Sequence, residues 1–384
     1  MQVIPVPLDD RRLVRQFVQL PYRLYRGSPY WVPPFRSDAK AMLNPAKHPF
    51  YEHSQAAFWL AVDDGRVVGR IGALDNSIYN ASHHCHKGMF ALWEQENDPA
   101  VAEALLGTAE RWCLERGLTH LIGPMGLSAL DGFGILIKGF ALRAALGMPY
   151  NPPYYQALIE PLGYATFEDA LSGYIDPAAP FPERIHRGAE LVAKRRGLSV
   201  RPLETRADVM ALVPDFRELY NQALGNTYDM MPLTETEVQV LAKQLLGFAD
   251  PRLIKVVQRG EQMVGFVLAY PEVAEAMQRC HGRFFPVGWA LLLYAMRHTD
   301  WVTINGMGIT EHERGLGGTA VLFSELYKSI TTAQRFKHAE VIQIRSDNTK
   351  MLAELRDLGV DFYKTHRVYQ KALAEPAPAT ISGV

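Results

Sequence analysis

The property that most limits what this chain can fold into is that it repeats itself. Val67-Val68-Gly69 recurs as Met263-Val264-Gly265, and Leu162-Gly163 as Leu358-Gly359, each 196 residues later. Val6-Pro7-Leu8 meets Arg201-Pro202-Leu203 after 195 residues, and Asn151 meets Asn348 after 197. Anchors that hold one spacing while the order of elements repeats around them point to a tandem duplication. At 384 residues the chain also exceeds the size at which a single core usually stops growing, so two units are expected on size alone.

Strand and helix patterns alternate in each copy, which makes the expected class α/β, built on a mixed sheet (α+β). The first copy reads as a strand at Gln2 to Leu8, a helix through Leu13, Phe17 and Leu24, and a hairpin from Gln55 to Leu74 turned at Asp64-Gly65. A strand at Gly88 to Trp93 follows, then a helix capped by Asp98 with Pro99 at its first position, a strand at Leu118 to Gly123, a short helix within Asn151 to Gly163 and an extended Tyr164 to Ile175. Prolines in GSPYWVPPF keep Tyr30, Trp31 and Phe35 on a loop, either packed beneath it or walling a substrate cleft. The glycine-rich passage from Gly123 to Phe140 marks turns and permits no further assignment.

The proline-rich 176–182 is the expected boundary, and a basic amphipathic helix, Glu183 to Gly197, follows it with its charges solvated. From Leu198 the order begins again: a strand to Glu204, helices at Asp208 to Leu224 and Glu235 to Leu246, and a hairpin from Leu253 to Tyr270 turned at Gly260. A strand at Ala339 to Arg345, a helix at Asn348 to Leu358 and a strand at Val360 to Tyr369 complete it. The expected units are therefore 1–176, a linker and helix at 177–197, 198–373, and a disordered tail at 374–384.

The second copy carries the stretch richest in chemistry, Trp301 to Tyr327, WVTINGMGITEHERGLGGTAVLFSELY. A strand, a glycine-rich turn and a helix in that order leave backbone N–H groups without intrahelical partners, and glycines let a phosphate come close to them. Gly315, Gly317 and Gly318 are the expected site of a phosphate-bearing ligand. Two other readings stand beside this one. The cluster can be a plain tight turn, and GLGGTA also satisfies the dinucleotide pattern G-x-G-x-x-A. The latter fits poorly, because Thr310 to Arg314 separate the strand from the first glycine and too few residues follow for a Rossmann unit.

Composition narrows the partners. A net charge of −1 and a pI near 6.9 give no bulk basic surface, so neither nucleic acid nor membrane is expected as a partner, although a local basic patch is compatible with both values. The N-terminus lacks the apolar core of a signal peptide, and the longest apolar run, Val287 to Met296, is too short to span a bilayer. A cytoplasmic location is expected. Cys85, Cys113 and Cys280 are unpatterned, and the adjacent His83, His84, Cys85 and His86 point in different directions, so no metal set is expected.

The unit of strand, helices, hairpin, strand, glycine loop, helix, strand, helix and strand resembles the GNAT superfamily of N-acetyltransferases. The family's pyrophosphate loop has the form Gln/Arg-x-x-Gly-x-Gly/Ala, which falls here on His312-Glu313-Arg314-Gly315-Leu316-Gly317, with His where the family prefers Gln or Arg. AVLFSEL looks like the family's next helix, and Asn348 with LGV before a final strand looks like its second motif. YWVPP, DGRVVGRI and NPPYY are similar to the first half of tandem GNAT-like proteins.

The resemblance implies two tandem GNAT-like acyl-CoA N-acyltransferase domains using acetyl-CoA or another acyl-CoA, with no metal. It implies Met307, Gly308 and Ile309 along the pantetheine arm, and His312, Arg314, Gly315, Leu316, Gly317, Gly318 and Thr319 around the pyrophosphate, with Asn348 at the second motif. The implied acceptor is an amine, on a small molecule or a peptide; related tandem folds also serve aminoacyl and long-chain acyl transfer. In the first copy the matching stretch is EQENDPAVAEALL, without glycine and with Glu94, Glu96 and Asp98, so only the second copy is expected to bind CoA.

The family often carries a Tyr four residues before the Gly of its second motif, to protonate the departing thiolate. Leu355 stands there, and Ile159 in the first copy. Tyr363, with His366 and Tyr369 near it, is the substitute acid, and Glu311 is the nearest carboxylate for deprotonating an ammonium. Without a donor at 355, a non-catalytic acyl-CoA sensor or scaffold remains the alternative.

Overall fold

A computed structural model describes residues 1–129, 131–179, 182–225 and 230–373. The tail from Ala374, and Pro180 and Phe181 at the expected boundary, lie outside the described residues. The first half runs β1 (Gln2–Pro5), α1 (Arg11–Leu24), β2 (Gln55–Asp63), β3 (Arg66–Asp75), β4 (Lys87–Gln95), α2 (Pro99–Leu114), β5 (His120–Gly123), β6 (Ile135–Lys138), α3 (Tyr154–Ile159) and β7 (Ala165–Ile175). After α4 (Glu183–Arg196) come β8 (Leu198–Val200), β9 (Lys255–Arg259), β10 (Gln262–Pro271), α5 (Ala274–Arg279), α6 (Gly288–His298), β11 (Trp301–Ile309), α7 (Gly318–Thr332), β12 (His338–Arg345), α8 (Thr349–Asp357) and β13 (Asp361–Ala372).

Local chemistry sets most of these bounds. Asp64 and Gly65 adopt φ of 45° and 75°, the pair of left-handed residues that a two-residue hairpin loop demands. Asp98 caps α2 by accepting from Ala100 N–H at 2.9 Å, with Pro99 at the position where a missing N–H costs nothing. The helix expected over Asp208 to Leu224 is broken instead into Arg206–Met210, Val213–Tyr220 and a π-helical turn, Asn221–Gly225. Pro214 sits at the start of the second piece, where it cannot continue the first. The strand expected to reach Glu204 stops at Val200.

The two copies share one sheet. Its order is β1-β2-β3-β4-β5-β13-β7-β12-β11-β10-β9-β8, with β6 also pairing with β13. The chain's last strand lies between β5 and β7 of the first half, while β7 lies against β12 of the second. Side chains reinforce the exchange: Arg367 of β13 holds Asp169 of β7 at 2.7 Å, and Lys371 holds Glu110 of α2 at 2.9 Å. Buried Arg345 of β12 pairs with buried Glu168 of β7. Burial lowers the Arg345 pKa to about 10, and losing either partner of such a pair costs roughly 3–5 kcal/mol. Each half keeps its own core, with Leu105, Ala109 and Trp112 of α2 in one and Val321, Leu322 and Leu326 of α7 in the other.

The anchor Asn151 does not play the part of Asn348. Asn348 caps α8, accepting from Met351 N–H at 3.3 Å. Asn151 bonds the N–H and carbonyl of Leu136 at 2.7 and 3.1 Å, pinning β6 beneath β13.

Candidate functional site

β11 and β12 start as a parallel pair and then part. Trp301 to Ile304 pair with His338 to Val341, and the pairing ends there. Gly306, at φ 93°, sits where β11 loses register with β10, a bulge that turns Asn305 to Ile309 away from β12. The strand's outer edge at Met307, Gly308 and Ile309 thus has no partner strand among the described residues, with Arg314 Nε donating to Ile309 O at 3.3 Å. An extended ligand bearing amides can add there as a strand would.

Beyond the gap lies the start of α7. Gly317, at φ 91°, is its N-cap and offers no capping side chain, so the first N–H groups of the helix, on Gly318 and Thr319, have no intrahelical acceptor. Gly315 is also left-handed, at φ 72°. Two N–H groups expected to hold the anion are already engaged within the loop: Arg314 donates to Glu311 O at 3.1 Å and Leu316 to Glu313 O at 3.3 Å. Glu313 puts a carboxylate into the loop, but Arg259 neutralises it at 2.7 Å.

The cations around this turn are more numerous than expected. His312 is exposed, and the Arg314 guanidinium is tied to Ile309 O and, at 2.7 Å, to Ala223 O. Lys350, on the first turn of α8, places Nζ 3.3 Å from the position a Cβ on Gly315 would take. Val192 of α4 would meet a Cβ on Gly317 at 2.8 Å. Arg195 and Arg196, three and four residues on, share that side of α4 and are exposed. Lys350, Arg195 and Arg196 escaped the sequence reading. The available signal for Lys350 was the repeat itself, which sets it opposite Tyr154.

At the base of the gap is a buried polar cluster. Thr303 and Glu340 are paired across β11 and β12, and Thr303 Oγ1 donates to Glu272 at 2.7 Å. Lys364 Nζ donates to Glu340 at 2.8 Å, and the Tyr363 hydroxyl bonds the same carboxylate. Burial, then the charge of Glu340, pushes the Tyr363 pKa upward, so its proton is retained. His366 and Lys364 line a cavity here with Ala144, Met148 and Tyr150. Tyr30 approaches Tyr150, and Trp31 packs edge-on against Tyr22, so the aromatic loop is packed and also backs the cavity wall. Glu311 is exposed on the 3₁₀ turn after β11, and Asn348 serves α8 as its cap. Leu355 is buried, as is Ile159. Tyr369 is fixed to Glu160 at 3.0 Å, a tie between the halves.

In the first copy β4 and β5 part likewise after Met89 and Ile122, with Leu92 at φ 51° in the bulge. That gap is filled from within. Met125 N–H takes Phe90 O at 2.9 Å, the Tyr155 hydroxyl accepts from Gln95 N–H at 2.8 Å, and the Tyr154 hydroxyl donates to Gln95 O at 2.7 Å. The carboxylates expected to repel an anion are largely neutralised: Arg70 holds Glu94 at 3.1 Å, Arg66 holds Glu96 at 2.6 Å, and Asp98 is the cap. Closure rests on tyrosines and a capped helix more than on net negative charge.

A bulged strand that parts from its parallel neighbour occurs twice, over an uncapped glycine turn in the second copy and a capped helix in the first, and this is a tandem GNAT-like fold. Known proteins agree. The solved structure of a tandem GNAT protein from the clavulanic acid biosynthesis pathway superposes with a TM-score of 0.57 at 13% identity, covering 98% of this chain and 99% of its own. The bacterial ceramide synthase of Caulobacter vibrioides is 30% identical over 383 residues, spanning 97% of this chain and 98% of its own. Protein YghO of Escherichia coli is 27% identical, over 94% of this chain and 93% of its own. No protein-family model matches the chain. The chain belongs to the family of the bacterial ceramide synthase.

Proposed function

We propose that this protein is an acyl-CoA-dependent N-acyltransferase whose acceptor is a long-chain amine of the sphingoid-base class. The observation that carries the reading is the parting of β11 from β12 over the uncapped, cation-flanked start of α7. A ceramide is the amide of a fatty acid and a sphingoid base, so the relative's name supports a long-chain donor and acceptor over acetyl transfer to a small amine.

Acyl-CoA supplies the activated carbonyl. The edge of β11 from Met307 to Ile309 holds its amide-bearing arm. The N–H groups of Gly315, Gly317, Gly318 and Thr319 take the pyrophosphate, with Lys350, His312, Arg195 and Arg196 supplying charge. Neutral amine then attacks the carbonyl, the C–S bond breaks and the thiolate leaves, so the protein's work is positioning and proton transfer. Tyr363, which keeps its proton, suits the acid at the departing sulfur. Glu311, or His366 through its free ring nitrogen, suits the base for the ammonium.

The buried Leu355 favours one other reading, an acyl-CoA-binding sensor, because a side chain without a proton occupies the usual donor position. Thiol release with palmitoyl-CoA and with acetyl-CoA, each offered sphinganine or a short polyamine, separates the readings, with the amide identified by mass spectrometry. Turnover of palmitoyl-CoA with sphinganine is expected. Acetyl transfer to the polyamine alone would refute the acceptor class, and CoA binding without turnover of any pair would favour the sensor.

A further inference from the structure

The longest apolar run of the chain became α6, yet of this eleven-residue helix only Gly288 is buried. A helix apolar on all sides ordinarily lies inside a core. Here Leu291 and Leu292 pack inward on Val32, Ala274 and Met277. The outward side follows helical spacing, with Trp289, Leu293 and Arg297 at four-residue steps and Tyr294 and His298 beside them. Trp289, Leu293 and Tyr294 are 45%, 44% and 62% exposed, and the preceding loop adds Phe284, Phe285 and Val287 at 41%, 74% and 60%. Six of the ten large hydrophobic side chains exposed among the described residues fall in this one segment. Single exposed apolar residues are ordinary, but a contiguous run marks an interaction surface.

The rim of the patch is cationic. Arg283 opens the segment and Arg297 and His298 close it, all exposed. Arg335, itself 3.8 Å from Asp250, closes the helix end by donating to the carbonyls of Met296 and Arg297 at 2.8 Å each. No Asp or Glu occurs between Glu275 and Asp300. Phe, Trp and Tyr on a basic-rimmed apolar face are the side chains that settle at the headgroup level of a bilayer, where the cations meet acidic lipid. A second copy of the chain, joined symmetrically through the same face, would set Arg283 and Arg297 against like charge.

We infer that residues 283–298 dock the protein on an anionic lipid bilayer. A net charge near zero conceals this face, because acidic residues elsewhere balance it. Leu291 and Leu292, on the inner side of α6, pack in one cluster with Ala144, Met148 and Tyr150, which line the cavity of Lys364 and His366. α6 and the apolar cluster beneath it thus lie between the docked face and the polar cluster, where a lipid-dissolved substrate needs to arrive. The docking itself does not rest on the proposed reaction.

Co-sedimentation with vesicles of phosphatidylcholine, and of phosphatidylcholine containing about one third phosphatidylglycerol, tests it. The protein is expected to sediment with the anionic vesicles and to be released by salt. Phe285→Ser, Trp289→Ser and Tyr294→Ser together should lower the bound fraction about tenfold at an unchanged unfolding temperature. Arg283→Glu with Arg297→Glu should abolish the preference for anionic vesicles. Should the triple variant fold poorly, wild-type tryptophan quenching by brominated lipids, lost in Trp289→Phe, gives the same answer. Failure to sediment with either vesicle, or equal binding by the variants, overturns the inference. So does a wild-type dimer in lipid-free solution that the same substitutions disperse, which would assign the face to self-association. CoA binding is expected to be unchanged in every variant, so loss of docking and failure of the proposed reaction are read separately.

Discussion

His366 shows what burial does to a single ring. It is 2% exposed, its Nε2 meets Pro149 O at 3.1 Å, and its Nδ1 has no partner among the described residues. Burial, with Lys364 nearby, lowers its pKa from 6.5 to about 4. The folded protein therefore binds fewer protons here than the unfolded chain between those two values, and stability rises with pH across that window. As pH falls from about 6.5 to about 4 the ring withdraws roughly 3 kcal/mol of stability. Denaturant unfolding of wild type and His366→Asn at pH 7.5 and pH 4.5 is expected to show a smaller acid loss in the variant. An equal loss in both would mean that the ring does not stay neutral. If His366 is also the base, the variant loses turnover without losing CoA affinity.

Among the elements, α7 and its glycine turn are proposed to carry the ligand, with Lys350 of α8 supplying charge beside them. Lys350→Glu is expected to weaken CoA binding about tenfold, measured by calorimetry, with the unfolding temperature unchanged because the side chain is exposed. Gly317 is a poorer probe, since any Cβ there strikes Val192 as well as the ligand. The hairpins at Asp64-Gly65 and Gly260, the cap Asp98 and the glycine turn were all legible in the sequence because each rests on residues a few positions apart, whereas Asn348, read there as a binding residue, is the cap of α8. The closure of the first copy was legible only as an outcome. Its reach from Tyr155 to Gln95 spans sixty residues and leaves no local mark. The break at Pro214 had a local signal, a proline in the middle of an apolar period.

For the whole molecule, the governing fact is the exchange of strands between copies. Pairing of β13 with β5 joins residues some 250 positions apart, which no sequence period reveals. The protein is expected to unfold in one cooperative transition rather than two. Ending the chain after Gly359 should raise hydrogen exchange in β5 and β7, which are far away in sequence, as strongly as in β12. Protection confined to the first half and unaffected by the truncation would show that half to be independent.

The same exchange sets a timetable for synthesis. β5 is complete at Gly123, and its partner β13 begins only at Asp361. At typical elongation rates that interval is roughly 10 to 50 s. Throughout it β5 stands as the open edge of a half-built sheet, and β7, once made, waits unpaired beside it, each a template for stray pairing. The yield of a nascent chain of this design is expected to improve when chaperones that hold strand edges are abundant, measured as soluble protein with and without their co-expression.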